Sequence, residues 1–125
     1  MKKFSRAWIS SKNPNKQRKY VANAPIDVRK KLLRVHLAKP LKEKYSKRAV
    51  LIKKGDTVKV MVGSFKGNIG KVSKVSYKNL RIFVEGIKRK KADGKDVLVS
   101  LNPSNVQIEE LDLKDKIRQK SITKK

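Results

Sequence analysis

Positive charge limits the folding of this chain more than any other property of its sequence. Lysine and arginine total 35 against 10 acidic residues, a formal net charge of +25 over 125 residues. A compact chain with this charge repels itself, so we expect it to fold beside a polyanion that neutralises the cations and releases condensed counterions. Nucleic acid is the favoured partner. An anionic membrane is the rival, but it requires a basic amphipathic helix with bulky apolar residues on the opposite face.

The same composition excludes several classes of protein. There is no cysteine and His36 is the only histidine, which excludes disulfide frameworks and cysteine-based zinc sites. No apolar run approaches the about 20 residues of a transmembrane helix. No nucleophile is paired with a base in the pattern. The sequence therefore predicts no enzyme, no metal or other cofactor, no membrane association and no small-molecule substrate.

Charge and periodicity divide the chain into four predicted segments. Residues 1–22 form a basic arm, 23–47 a short helical segment, 48–113 a β domain and 114–125 a basic tail. The arm contains too few apolar residues to offset its chain entropy, so alone it is expected to be disordered. Both ends are therefore predicted to be extended arms that become ordered on a polyanionic partner.

Two short helices are predicted in the second segment. The first runs from Pro25 to Leu33 and places Ile26, Leu32 and Leu33 on one face. The second covers residues 39–47, with a proline in its first turn. Each helix is too short to persist alone, so both must dock on the rest of the molecule.

From residue 48 onward, apolar residues alternate with polar ones, which predicts five or six short strands. The strands are centred on residues 58–62, 69–75, 80–85, 97–101 and 106–108. The irregular spacing within 69–75 indicates a bulge near Gly70. The pair Asp93-Gly94 predicts a type I′ hairpin turn, which needs positive φ at both central residues. Short strands with brief connections favour a small, strongly curved barrel.

A glycine-punctuated loop between two of these strands is the most informative motif. It contains Gly63, Gly67 and Gly70, with Phe65 and Lys66 between them. Glycine permits backbone conformations closed to other residues and allows close approach of another backbone. Exposed amides, a cation and an aromatic ring suit phosphate contact with base or sugar stacking. From the loop alone, an ordinary turn whose glycines serve only the backbone is an equal alternative.

The stretch from Lys53 to Val72 resembles a KOW motif of the SH3-like barrels in ribosomal and transcription proteins. The similarity covers most of residues 14–113 and is carried by Lys16–Lys19, Asn23–Pro25, Leu41–Tyr45, Arg81–Gly86, Arg89–Gly94, Pro103–Val106 and Leu111–Leu113. In order and spacing these segments resemble the universal large-subunit ribosomal protein family numbered twenty-four in bacteria and archaea and twenty-six in eukaryotes. The archaeal and eukaryotic branch is the most similar. Arg34–Leu37 departs from its usual pattern between the two helices.

The resemblance implies a mainly β fold, a small SH3-like KOW barrel with a hairpin extension, two short N-terminal helices and extended basic arms. It implies a structural protein that binds the first domain of large-subunit ribosomal RNA, aids early assembly and lies near the polypeptide exit tunnel. Such a protein would be a monomer within the cytoplasmic ribosome, beside neighbouring ribosomal proteins. A KOW-type transcription elongation module that binds nascent RNA is the alternative, although such factors usually carry a separate domain beside the barrel.

The predicted RNA contacts come from the basic arm, the first helix, the KOW motif, the hairpin and the turn before the last strand. They are Lys12, Lys16, Gln17, Arg18, Lys19, Tyr20, Arg29, Lys30, Lys53, Lys54, Gly63, Ser64, Phe65, Lys66, Gly67, Lys71, Arg89, Lys90, Lys91, Ser104 and Asn105. An acidic cluster between residues 109 and 115 is expected to face solvent and pair with nearby lysines.

Overall fold

The structure, a computed structural model, describes Phe4 and residues 10–123. Within that part of the chain the elements are α1 (Pro14–Asn23), α2 (Ile26–Leu32), β1 (Arg34–Leu37), α3 (Lys39–Tyr45), β2 (Ala49–Leu51), β3 (Thr57–Val60), β4 (Ile69–Ser76), β5 (Arg81–Lys90), β6 (Asp96–Leu101), β7 (Val106–Glu110) and α4 (Lys116–Thr123). A 3₁₀ turn, Pro103–Asn105, leads into β7. The start of the predicted arm, apart from Phe4, lies outside the described residues.

The strands form one seven-stranded sheet in the order β2-β1-β7-β3-β4-β5-β6. Neighbours are antiparallel except β1 and β7, which run parallel. The mainly β prediction is confirmed, but the barrel does not close, because β2 and β6 stay at opposite ends of the strand order. Val50 from β2 and Leu101 from β6 nevertheless belong to one core cluster. The sheet must therefore curl strongly around a single core.

Strand β1 was not predicted, since its residues lie in the segment assigned to helices. Its burial alternates: Arg34 is exposed, Val35 buried, His36 half-buried and Leu37 buried. That period of two is the pattern of a strand with one buried face. The segment that departs from the family pattern therefore inserts between β2 and β7 and adds Val35 and Leu37 to the core.

The predicted helices are present, but their ends and faces differ from the prediction. In α2, Ile26 is 56% exposed and Leu32 41% exposed, whereas Leu33 is fully buried. Leu33 follows the last helical residue, where the chain turns into β1, so the predicted shared face is wrong. Helix α3 ends at Tyr45 because Ser46 adopts a left-handed conformation with φ 51°.

The prediction of an extended N-terminal arm is also wrong in part, because residues 14–23 form α1. The side chain of Asn13 accepts a hydrogen bond from the Asn15 N–H at 2.9 Å, and Pro14 is the first helical residue. An asparagine cap followed by proline is a strong helix start, since it satisfies a free N–H and fixes φ. No residue of α1 is buried, so little apolar contact holds the helix.

The C-terminal tail was expected to be extended, but residues 116–123 form α4, which packs on the core. Ile117 N–H donates to the Asp115 carboxylate at 2.9 Å, which caps the first turn. Ile122 is 2% exposed and joins the core cluster. Arg118, one helical turn earlier, is 5% exposed and lies on the same face.

A buried ion pair fixes α4 to the sheet. The two terminal nitrogens of Arg118 each donate to one carboxylate oxygen of Asp56 at 2.6 Å. Asp56 is fully buried in the turn before β3 and also accepts the backbone N–H groups of Lys53 and Asp112. Arg118 further donates to the backbone carbonyls of Leu51 and Asp112. Two otherwise costly buried charges thus satisfy each other and several backbone groups.

The β5–β6 hairpin turn differs from the predicted type. The Gly94 N–H donates to the Lys91 carbonyl at 2.9 Å, and Gly94 has φ 77°. Asp93 is not at positive φ, so the type I′ prediction is wrong. A single glycine in the left-handed position belongs to a longer hairpin loop with a bulge.

The predicted irregularity in β4 is confirmed, but it does not lie at Gly70, which serves the close backbone approach expected of the loop glycines. The register of β4 against β5 shifts between Val72 and Lys74 rather than at the glycine. A Cβ on Gly70 would lie 2.7 Å from the Glu85 carbonyl oxygen and 2.8 Å from a methyl of Val84. Gly70 is therefore required for close approach of two backbones.

We predict that Gly70→Ala lowers the free energy of unfolding by about 1–3 kcal/mol, because the new methyl would overlap a backbone carbonyl that must shift. Urea unfolding measures the change. Ser64→Ala, an exposed substitution in the neighbouring loop, is the control and is expected to stay within about 0.5 kcal/mol of the wild type. Equal stability of all three proteins would show that the two strands separate without cost.

We predict that Arg118→Met lowers the free energy of unfolding by about 3–5 kcal/mol, since it leaves the Asp56 carboxylate buried without its cation. The control is Lys59→Met, which removes a half-exposed ion pair with Glu109 at 4.0 Å and should cost less than about 1 kcal/mol. Urea unfolding of both variants tests the difference. Similar losses in the two variants would contradict a stabilising role for the buried pair.

Candidate RNA interface

The loop between β3 and β4, residues 61–68, is held in a defined shape by its own backbone. The Gly67 N–H donates to the Val60 carbonyl at 2.8 Å, and the Lys66 N–H donates to the Gly63 carbonyl at 3.1 Å. Gly63 and Gly67 have φ of 101° and 91°, which favour glycine. A Cβ on either would meet nothing within 4 Å, so these glycines serve the turn and leave open space around it.

The side chains of this loop divide between solvent and core. Ser64 and Lys66 are exposed, so both predicted contacts are accessible to a partner. Met61 and Val62 are also exposed, at 41% and 58%, and Val62 lies beyond the end of β3 rather than inside a strand. Phe65 is half-buried and packs against the hydrophobic core. Its ring therefore anchors the loop, a role that the sequence did not predict.

The tertiary structure brings a second predicted element beside this loop. The Met61 N–H donates to the Asn105 carbonyl at 2.8 Å, so the 3₁₀ turn lies against the start of the loop. The Asn102 carboxamide oxygen accepts from both the N–H and the hydroxyl of Ser104, which fixes that turn. Ser104 and Asn105 thus lie beside the start of the loop that carries Gly63–Lys66. Lys71 is exposed in β4, opposite Thr57 in the sheet register.

The predicted cations of the hairpin stand away from the core. Arg89, Lys90 and Lys91 are all exposed at the distal end of β5. The last buried residue before them is Ile87, and β6 is exposed opposite them from Asp96 to Leu98. The hairpin tip is therefore available for contact with a partner on more than one side.

The N-terminal set lies on α1 and the turn before it, instead of on an extended arm. Its cations, Lys12, Lys16, Arg18 and Lys19, are all exposed. The Gln17 carboxamide donates to the Ser11 carbonyl at 2.6 Å and folds the preceding turn onto the helix. The half-buried Tyr20 ring lies 4.9 Å from that of Phe4. The helix therefore holds Lys16, Arg18 and Lys19 at fixed positions relative to one another, which an extended flexible arm would not do.

Arg29 and Lys53 differ from the other predicted cations because their charged groups already bind other segments of the protein. Arg29 donates to the carbonyls of Ala22, Ala24 and Lys78 at 2.7–2.9 Å, which joins α1 to α2 and to the β4–β5 turn. The Lys53 ammonium lies 2.8 Å from the Asp115 carboxylate. Lys30 and Lys54, by contrast, are exposed.

Sequence reasoning missed four cations that the fold places beside Lys30 and Lys53. Lys31, Arg34, Lys47 and Arg48 line the same cleft as those two residues. They come from α2, β1 and the segment before β2, which are separated along the chain. The basic run at residues 29–34 was a partial signal, but no local pattern indicates that residues 47 and 48 lie next to it.

A comparison with protein families matches residues 11–125 to the ribosomal proteins described as L26 in eukaryotes and L24 in archaea. The chain belongs to this family. It is therefore an RNA-binding structural protein of the large ribosomal subunit that acts in translation, with ribosomal RNA and ribosomal proteins as its partners. The predicted resemblance is confirmed, and the match extends through α4, which the similarity noted over residues 14–113 did not include.

Two acidic residues of the predicted cluster in this ribosomal protein pair with lysines, as expected. Asp115 binds Lys53, and Glu109 lies 4.0 Å from Lys59. The hydrogen bond from Lys53 holds the pKa of the Asp115 carboxyl below its usual value, so this carboxylate stays charged to a lower pH than a free one. Among residues 10–123 and Phe4, no three metal-ligating side chains gather, and no helix has the length and apolarity to cross a membrane.

We predict that Lys66→Ala combined with Lys71→Ala weakens RNA binding and reduces the salt dependence of the affinity by a slope of about two, one for each lost phosphate contact. The thermal melt should be nearly unchanged, because both side chains are exposed. Filter binding at several salt concentrations measures the slope. Lys39→Ala with Lys114→Ala removes the same charge elsewhere. A collapsed melt, or equal slopes in the two variants, would contradict this role for the loop.

Proposed function

We propose that the protein binds the first domain of large-subunit ribosomal RNA, helps to nucleate early assembly and lies near the polypeptide exit tunnel of the cytoplasmic ribosome. In this proposal it acts as a monomer and contacts neighbouring ribosomal proteins there. Family membership supports the ribosomal setting. The RNA domain and the exit-tunnel placement are what the resemblance implies, and the distribution of surface charge supports contact with several RNA segments.

The observation that carries the proposal is the separation of unpaired cations over several surfaces of one small core. The β3–β4 loop with the 3₁₀ turn, the tip of the β5–β6 hairpin and α1 each present exposed lysines or arginines. In the described part of the chain, ion pairs involve only Lys53, Lys59 and Arg118 among the cations. A rigid body with several separate cationic surfaces can hold several RNA segments at fixed distances, which is what early assembly requires.

Recognition is expected to depend on RNA shape and phosphate geometry more than on base edges. Lysine is a flexible point charge suited to phosphate, and the predicted contact set is dominated by lysines. Paired RNA also hides base edges in a deep, narrow major groove that side chains cannot enter. Specificity would thus come from the fixed arrangement of the cationic surfaces, which only a correctly folded RNA domain can match.

Ultraviolet crosslinking in cell lysate, followed by sequencing of the attached RNA, tests this function. We predict one defined cluster of sites in the first domain of large-subunit RNA, present in subunit precursors as well as in mature subunits. Sites spread over nascent transcripts would indicate the transcription elongation alternative. A cluster in another RNA domain would refute the placement while leaving the family assignment intact.

A further inference from the structure

Helix α2, strands β1 and β2 and helix α4 enclose a cleft of about 680 Å³. Seven of its lining residues are cations and none is acidic: Lys30, Lys31, Arg34, Lys47, Arg48, Lys53 and Arg118. The remaining lining residues are small or apolar, and Ile117 is 79% exposed. Such a concentration of like charge around a concave surface produces a strong attraction for anions.

We propose that this cleft binds the sugar–phosphate backbone of RNA and that α4 is a wall of the binding site. The proposal rests on the proposed function, because it names a further surface for the same RNA partner. It also gives the C-terminal segment a role different from the one predicted. The segment positions phosphate-binding cations instead of acting as a flexible basic tail.

The seven cations divide into two groups by their partners. Three attach α4 to the rest of the molecule: Arg118 binds Asp56, Lys53 binds Asp115, and the Lys47 ammonium donates to the Ser121 carbonyl at 2.6 Å. The other four, Lys30, Lys31, Arg34 and Arg48, are exposed. Within residues 10–123, the side chains of these four have no hydrogen-bond or ion-pair partner.

These four free cations need a ligand with several negative charges. Their charges repel one another across the cleft, and a single small anion would neutralise only part of that repulsion. An RNA strand presents one phosphate per nucleotide, so one backbone can meet several of these cations in succession. The exposed side chain of Ile117 offers an apolar contact for a ribose or a base face within the same cleft.

An acidic peptide is the other ligand that this charge would attract. RNA is favoured because the chain belongs to an RNA-binding ribosomal family. The arginines fit either ligand, since the planar guanidinium groups of Arg34 and Arg48 can form paired hydrogen bonds with phosphate or with carboxylate.

The test compares two variants of the full chain that lose three positive charges each. The cleft variant carries Lys31→Gln, Arg34→Gln and Arg48→Gln; the control carries Lys39→Gln, Lys44→Gln and Lys114→Gln, all exposed and outside the cleft lining. The salt dependence of binding to a transcript of the first large-subunit RNA domain is measured for each. We expect the cleft variant to reduce the slope by about two and the control by less than one, because each phosphate contact contributes about 0.7–0.9.

A cleft variant with the slope of the control would overturn this proposal while the wild type still binds the RNA. Failure of the wild type itself to bind would instead refute the proposed function. A cleft variant that keeps the wild-type RNA slope but loses binding to polyglutamate would assign the cleft to an acidic peptide and would also overturn the proposal.

A second measurement covers the case in which the cleft variant does not fold. The chain lacks cysteine, so Ser121→Cys supplies a single attachment point for a photocrosslinker at the exposed cleft wall. We expect light-dependent capture of the RNA transcript from this position, and little from Glu43→Cys on α3. Equal capture from both positions, or none from position 121, would refute the cleft assignment.

Discussion

A buried ion pair between Arg118 and Asp56 holds the C-terminal part of the molecule in its arrangement. Each charge alone would be costly away from water, and together they satisfy each other and nearby backbone groups. The pair joins the turn before β3 to a helix 62 residues later in the chain. Because that helix forms a wall of the basic cleft, a structural contact inside the protein determines the shape of a surface that is proposed to bind RNA.

The second constraint is the separation of charge from the core. The inner face of the curled sheet is formed by valine, isoleucine and leucine, whereas nearly all lysines and arginines of the part that the structure describes remain at the surface. With a net charge of +25, those surface cations repel one another. The sheet and its core hold them in fixed positions, and RNA would neutralise them. The charge distribution therefore agrees with membership in a ribosomal family, whose RNA partner supplies the neutralising phosphates.

Residues predicted for one purpose can serve another once the chain is folded. Arg29 and Phe65 were both predicted RNA contacts. In the structure Arg29 joins backbone carbonyls of three segments, and Phe65 anchors the β3–β4 loop to the core. The sequence identifies one as a cation and the other as an aromatic ring, but it does not show which protein groups lie close enough to bind them. Lys66 and Ser104, by contrast, are exposed on two elements that the Met61–Asn105 hydrogen bond joins, where an RNA strand could contact them.

Properties that depend on adjacent residues and on composition could be predicted from the amino-acid order: the alternation of β3 and β7, the helices that begin at prolines and the preference for a polyanionic partner. Asn13-Pro14 is the same local signal for α1, and it outweighs the low apolar content that predicted disorder there. The entry of β1 into the sheet, the open barrel and the reach of Arg118 to Asp56 became visible in the folded molecule alone. These outcomes, like the basic cleft, depend on contacts between residues far apart along the chain, whose partners are selected by the packing of the whole core rather than by local pattern.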